Sequence, residues 1–83
     1  MSRRKHLRRT RVESKAVRSI GYDPAVRLLQ VEFDGGAVYD YLDVPPWEHA
    51  ALLRAESIGR HVTYRIKGNF RHELVRPADE SMA

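Results

Sequence analysis

The chain contains no cysteine. That excludes a disulfide framework, a thiolate-ligated zinc site and thiol chemistry. Long apolar runs are missing too, and nothing approaches the ~20 residues that cross a bilayer. No apolar segment follows the basic N-terminus, so it does not read as a secretory signal. Leu7 and Val12 are the only sizeable apolar residues there, too few for the amphipathic helix of a transit peptide. A cytoplasmic protein without a membrane partner is expected.

Acids are scarce at the N-terminus. In residues 1–15 only Glu13 opposes Arg3, Arg4, Lys5, Arg8, Arg9, Arg11 and Lys15. Seven basic and one acidic side chain give this stretch a formal +6, and the remaining eight basic and ten acidic residues give −2. Metal-ligand spacing is absent as well. His6 lies in the basic stretch, and His49, His61 and His72 have no well-placed second ligand, whereas a structural zinc site needs about four. No Ser–His–acid set and no phosphate-cradling glycine loop is recoverable. No catalytic residues, metal or cofactor are therefore expected.

What is present is one small domain. A chain of 83 residues has a small core, since domains of this size bury only about 60% of their unfolded surface. Residues 1–11 read as a disordered basic arm, because their apolar content does not offset the entropy of ordering. Residues 12–77 read as the body, and residues 78–83 as a disordered tail. A monomer is expected.

Within the body, 16–22 is a candidate strand ended by Asp23-Pro24. In 27–33, Leu29, Val31 and Phe33 alternate with Gln30 and Glu32, the pattern of a strand with one buried face. Residues 37–44 form a third strand. A two-residue Gly35-Gly36 loop would set Val31 opposite Asp40. A three-residue loop, 34–36, sets Phe33 opposite Ala37, Val31 opposite Tyr39 and Leu29 opposite Tyr41, with every large side chain on one face. Since a one-residue slip inverts all side chains, patterning selects the second register, with Gly36 at positive φ. On this reading Glu32, Asp34 and Asp40 form a solvated outer face.

Pro45-Pro46 ends the sheet, and Pro46 suits a helix start. Residues 47–56 read as a helix with His49, Leu52, Leu53 and Ala55 toward the core. Ser57 caps a second helix, 58–67, in which Ile58, Val62 and Ile66 share a face and Gly68 ends the run. Val62, Tyr64 and Ile66 also alternate as in a strand, so both readings stay open, with helix preferred. Residues 70–76 are a candidate short terminal strand. The fold class is α+β: a three-stranded antiparallel meander packed on two short helices.

Several of these residues form a recognisable set: Ile20-Gly21-Tyr22-Asp23; Leu29, Val31, Phe33 and Gly36; Tyr39-Asp40-Tyr41; Val44-Pro45; Leu52; Ala55, Ser57 and Gly59; Ile66-Lys67. In this order the body resembles the KTSC domain, a family named for the C-terminus of lysyl-tRNA synthetase, whose other members stand alone as small bacterial proteins. The chain departs from the family pattern at His49 and near His61-Val62, where relatives carry aromatic residues. The resemblance implies the fold, and its synthetase context favours RNA over DNA as a partner.

Charge carries the functional expectation. Residues 60–76 hold Arg60, Arg65, Lys67, Arg71 and Arg76 against Glu73, while 16–56 hold three basic and seven acidic residues. The candidate nucleic-acid-binding set is therefore Arg3, Arg4, Lys5, Arg8, Arg9, Arg11, Arg60, Arg65, Lys67 and Arg71, acting mainly through charge. If the arm folds back, arm and second helix would make one anion-binding surface. The family-motif residues Tyr39 and Tyr41 are expected in the core, the alternative being a base-stacking surface. His49 is expected partly buried and His61 exposed. The competing functional reading is a protein-interaction domain that meets its partner through the acidic sheet face or Trp47.

Overall fold

The computed structural model describes residues 7–79. It holds a five-stranded antiparallel sheet in sequence order: β1 (Thr10–Arg11), β2 (Val17–Asp23), β3 (Leu28–Phe33), β4 (Val38–Tyr41) and β5 (His72–Arg76). Two helical segments, α1 (Pro46–Leu53) and α2 (Ile58–His61), interrupt the meander between β4 and β5. The class is α+β, with two strands more than the three-stranded meander. β5 occupies part of the candidate terminal strand, while β1 lies inside the segment expected to be disordered.

The β3–β4 register follows the side-chain pattern. Leu29 lies opposite Tyr41 and Val31 opposite Tyr39. The Phe33 N–H donates to the Ala37 carbonyl at 2.8 Å. Gly36 has φ +98°, and its neighbour Gly35 also has positive φ. β2 contains a bulge, because Val17 faces Phe33 while Ser19 faces Glu32. Arg18 is the extra residue, and the irregularity re-aims the side chains beside it.

Pro45 is extended and Pro46 opens α1, where its missing N–H costs nothing. The Ser57 hydroxyl accepts the Arg60 N–H at 3.2 Å and caps α2. Beyond His61 the chain widens into a π-turn, Val62–Ile66, closed by the Lys67 N–H on the Val62 carbonyl at 2.8 Å. The helical reading of this segment therefore holds over its strand alternative, and the cap explains why. Isolated β-branched residues favour strands only weakly. Here Val62 and Ile66 reach the core together from one helical face.

The core lies between the helices and one face of the sheet. Val17, Ile20, Leu29, Val31, Tyr41, Val44, Leu52, Val62 and Ile66 are buried within it. Leu53 departs from expectation: it is 50% exposed, while its neighbour Leu52 is fully buried. The helix ends at Leu53, so Ala55 belongs to the connection to α2. His49 stacks on Tyr22 with ring centroids 4.3 Å apart. Burial lowers the His49 pKa from its ordinary value. The Tyr22 hydroxyl donates to the Val44 carbonyl.

Candidate nucleic-acid interface

The helices cover only part of the inner sheet face. Toward the β3–β4–β5 end a groove of about 560 Å³ remains, lined by Phe33, Tyr39, Tyr41 and His72 with Lys15 and Lys67. Alternation in the strands positions the rings. Tyr39 lies opposite Leu74 on β5, and Tyr41 opposite His72. Tyr39 meets Phe33 edge-on at 6.0 Å between centroids, and His72 sits 5.7 Å from Tyr39 and 5.9 Å from Tyr41. The Lys67 ammonium lies 5.0 Å over the Phe33 ring, a cation–π contact.

The two family-motif tyrosines therefore differ. Tyr41 is 3% exposed and belongs to the core, whereas Tyr39 is half-buried and opens into the groove. Burial first, and Tyr39 second, push the Tyr41 hydroxyl up to about 12.

A second cleft adjoins the first. It runs between α2 and the segment before β2, lined by Lys15, Ser57, Arg60 and Tyr64 with the acids Glu13 and Glu56. Lys15 lines both clefts. Arg60 lies over the exposed Tyr64 ring at 6.0 Å. Among the described residues Lys15, Arg60 and Lys67 form no ion pair.

Other members of the basic set are placed differently. Arg65 donates to Glu48 at 3.3 Å, and His61 meets the same buried carboxylate at 2.8 Å. His61 is therefore mostly buried, with its side chain 11% exposed, because it ties α2 to α1. Glu48 lies thirteen residues away in sequence, so nothing near His61 announced the pair. Arg71 is exposed and faces Asp43 at 3.7 Å.

The arm's described residues run along the sheet and away from α2. Arg9 donates from Nε to the Ser19 hydroxyl at 2.9 Å and from Nη1 to the Gln30 amide oxygen. Gly21 makes room for this crossing, since a Cβ there would stand 2.5 Å from the Arg8 carbonyl oxygen. Thr10 pairs with Ile20 and Arg11 with Ser19, so residues 7–11 do not conform to the disordered arm. Arg8 and Arg11 are exposed. Arg3, Arg4 and Lys5 lie outside the described residues.

Arg9 thus occupies the outer face, opposite the helices. The acids there are not a solvated row. Asp40 is fully buried and accepts the Gln30 side-chain N–H at 2.9 Å. Glu32 accepts the Ser19 hydroxyl at 2.8 Å and pairs with Arg18 at 3.4 Å and Arg76 at 3.1 Å, with Arg9 at 4.0 Å. Burial alone would raise the Glu32 pKa. The Ser19 hydrogen bond and the three guanidiniums more than offset that and hold it below the ordinary value. Asp34 alone of the three acids is exposed, 3.9 Å from Arg18. Asp79, in the segment expected to be a frayed tail, donates its N–H to the Gly35 carbonyl at 2.7 Å. The continuous surface of arm and α2 does not form through Arg9, because the sheet separates them. Among the described residues of the N-terminal stretch, Lys15 is the basic one that lines the inner-face clefts.

This meander, with two helices inserted before its last strand, defines a family. The model of the KTSC domain matches residues 13–70, and the chain belongs to that family. An uncharacterised protein of Stutzerimonas stutzeri is 49% identical over 61 residues, covering 74% of this chain and 86% of the relative. A crystal structure of a KTSC domain protein from Yersinia pestis superposes with a TM-score of 0.80 at 38% identity, covering 83% of this chain and 97% of that one. A lysine–tRNA ligase of Nostoc punctiforme is 38% identical over 61 residues, 74% of this chain but 11% of the ligase.

Proposed function

We propose that the chain is a small, non-catalytic nucleic-acid-binding module of the cytoplasm, with RNA as the favoured polymer and charge as the main source of affinity. The observation that carries this reading is the pair of clefts meeting at Lys15, where Arg60 and Lys67 present charges that no acid of the described residues takes up. Glu13 and Glu56 stand in the same cleft as Arg60, so attraction there is moderate. The likeness to a segment of a lysine–tRNA ligase supports RNA over DNA. The competing reading, docking of a protein on the acidic sheet face or on Trp47, loses support at the sheet face, where arginines already neutralise Glu32, and keeps an exposed Trp47.

Fluorescence anisotropy with a labelled single-stranded oligouridine, repeated across salt concentrations, tests the proposal. Each neutralised phosphate contributes about −0.7 to the log–log slope on a single strand. Lys15→Glu/Arg60→Glu/Lys67→Glu should therefore weaken binding and flatten the slope by roughly 2. Deleting residues 2–6 spares the Arg9 contacts and removes three other basic residues. If that deletion abolishes binding while the triple variant binds like wild type, the chain is a polycation on an unrelated domain. Absence of binding by wild type at low salt removes the nucleic-acid reading altogether.

A further inference from the structure

We infer that the groove on the inner sheet face is a base-stacking subsite that selects unpaired nucleotides over duplex. This rests on the nucleic-acid reading above and deepens it from charge alone to a named surface and a strand preference.

Three features of the groove converge. First, its floor is aromatic where a solvated sheet face would be polar. Tyr39 and Phe33 are only half-buried, and His72 is exposed at their edge. Leu74, opposite Tyr39 on β5, is 54% exposed, so the apolar face continues past the groove with no helix over it. The Lys67 ammonium already lies over the Phe33 ring, so Tyr39 and His72 are the rings left for a base to stack on. Second, the groove's volume of about 560 Å³ lies in the range that small-molecule pockets occupy, ~300–1,000 Å³, and is enough for an unpaired base and its sugar. A base pair inside a duplex offers no free face, so a helix would have to unstack to use the floor.

Third, the rim charge complements a phosphate backbone. Lys67, whose ammonium lies over the Phe33 ring, and Lys15 both line the groove, and Lys15 continues into the cleft that holds Arg60 and Tyr64. A strand laid along this line would meet rings and cations in turn, from Tyr39 and His72 past Lys67 and Lys15 to Arg60 and Tyr64. The acid in the groove lining is Asp34, and Arg18 lies 3.9 Å from it. An acidic peptide would meet the same cations, but only its occasional aromatic side chains could stack on the floor, whereas every nucleotide brings a π-face. The occupant is therefore a single-stranded nucleic acid, held by stacking at the floor and by charge at the rim.

The test compares labelled oligouridine with an RNA duplex of equal length at one salt concentration, using wild type, Tyr39→Ala, Tyr39→Phe and His72→Ala. Loss of one stacking contact is expected to weaken single-strand binding by about five- to 150-fold. Duplex binding should hardly change, and Tyr39→Phe, which keeps the ring, should bind the single strand like wild type. His72 is exposed, so His72→Ala keeps the comparison available if Tyr39→Ala does not fold. Titration of wild type with oligouridine should also shift the ring proton resonances of Phe33 and Tyr39. Equal losses for single strand and duplex, or single-strand binding untouched by Tyr39→Ala and His72→Ala, would overturn the stacking subsite while leaving the module reading standing. Wild type that binds neither probe would remove both.

Discussion

The two faces of the sheet handle charge in opposite ways. On the outer face Arg9, Arg18 and Arg76 converge on Glu32, and Gln30 bridges Arg9 to buried Asp40. On the inner face Lys15, Arg60 and Lys67 surround aromatic rings without an ion pair among the described residues. Formal charge is therefore a poor guide to which cations remain unpaired in this chain. A basic residue whose partners are internal acids is part of the architecture, and those left over are the ones the proposed binding would use. Surface ion pairs are worth little singly. The outer-face set differs because its acceptors are largely buried and shared, so removing one member strands the others.

The largest expected effect separates the closed part of the inner face from its open part. Tyr41→Ala should cost about 3–5 kcal/mol, as truncation of a buried aromatic does, and a domain this small tolerates little of that. Urea denaturation should show a distinctly smaller loss for Tyr39→Ala, whose ring borders the groove. Equal losses would mean that both tyrosines are core and the groove is closed in solution.

An intermediate effect concerns the outer face. Glu32→Gln should cost about 1.5–3 kcal/mol, the range for hydrogen bonds to charged groups. Its native pKa is lowered, so its stabilisation is fully present above the ordinary glutamate value of about 4.3. That contribution is lost as pH falls through the lowered native value. The wild-type melting temperature should drop over that acid window, and in Glu32→Gln the drop should be shallower. An unchanged acid limb would show that the arginines do not hold this carboxylate in solution.

The smallest effect is expected at Leu53, on the solvent side of α1. Leu53→Gln should change stability by no more than about 0.5 kcal/mol, whereas Leu52→Ala should cost about 2–5 kcal/mol. A large loss at Leu53 in the same denaturation series would extend the covered part of the inner face beyond the core described above.

Local pattern carried the elements whose determinants are close in sequence. The β3–β4 register follows from two-residue alternation and the Gly35-Gly36 turn, since only one pairing put Val31 and Tyr39 on the same side. Ser57 and Pro46 marked helix starts through their own backbone chemistry. By contrast, composition made residues 7–11 look disordered because their partners, Ser19, Gln30 and Glu32, come from two later strands. The same distance hid the pairing of His61 with Glu48 across α1 and α2. Leu53 was misassigned because adjacent leucines fit a short helical pattern almost equally well, and only packing selects Leu52.

The sequence by itself determined a small α+β domain, a hairpin of one register, two helical segments with starts marked by Pro46 and Ser57, and an excess of basic residues at two places. Tertiary structure decided which of those basic residues meet an internal acid. Whether an arginine meets an internal carboxylate or solvent depends on strands brought together over tens of residues. Periodicity has no term for such pairings, because each is set by the assembled sheet and not by neighbours in the chain. The same holds for the groove: alternation put Phe33, Tyr39 and Tyr41 on one face, but only the reach of α1 and α2 across that face left Tyr41 covered and Tyr39 open.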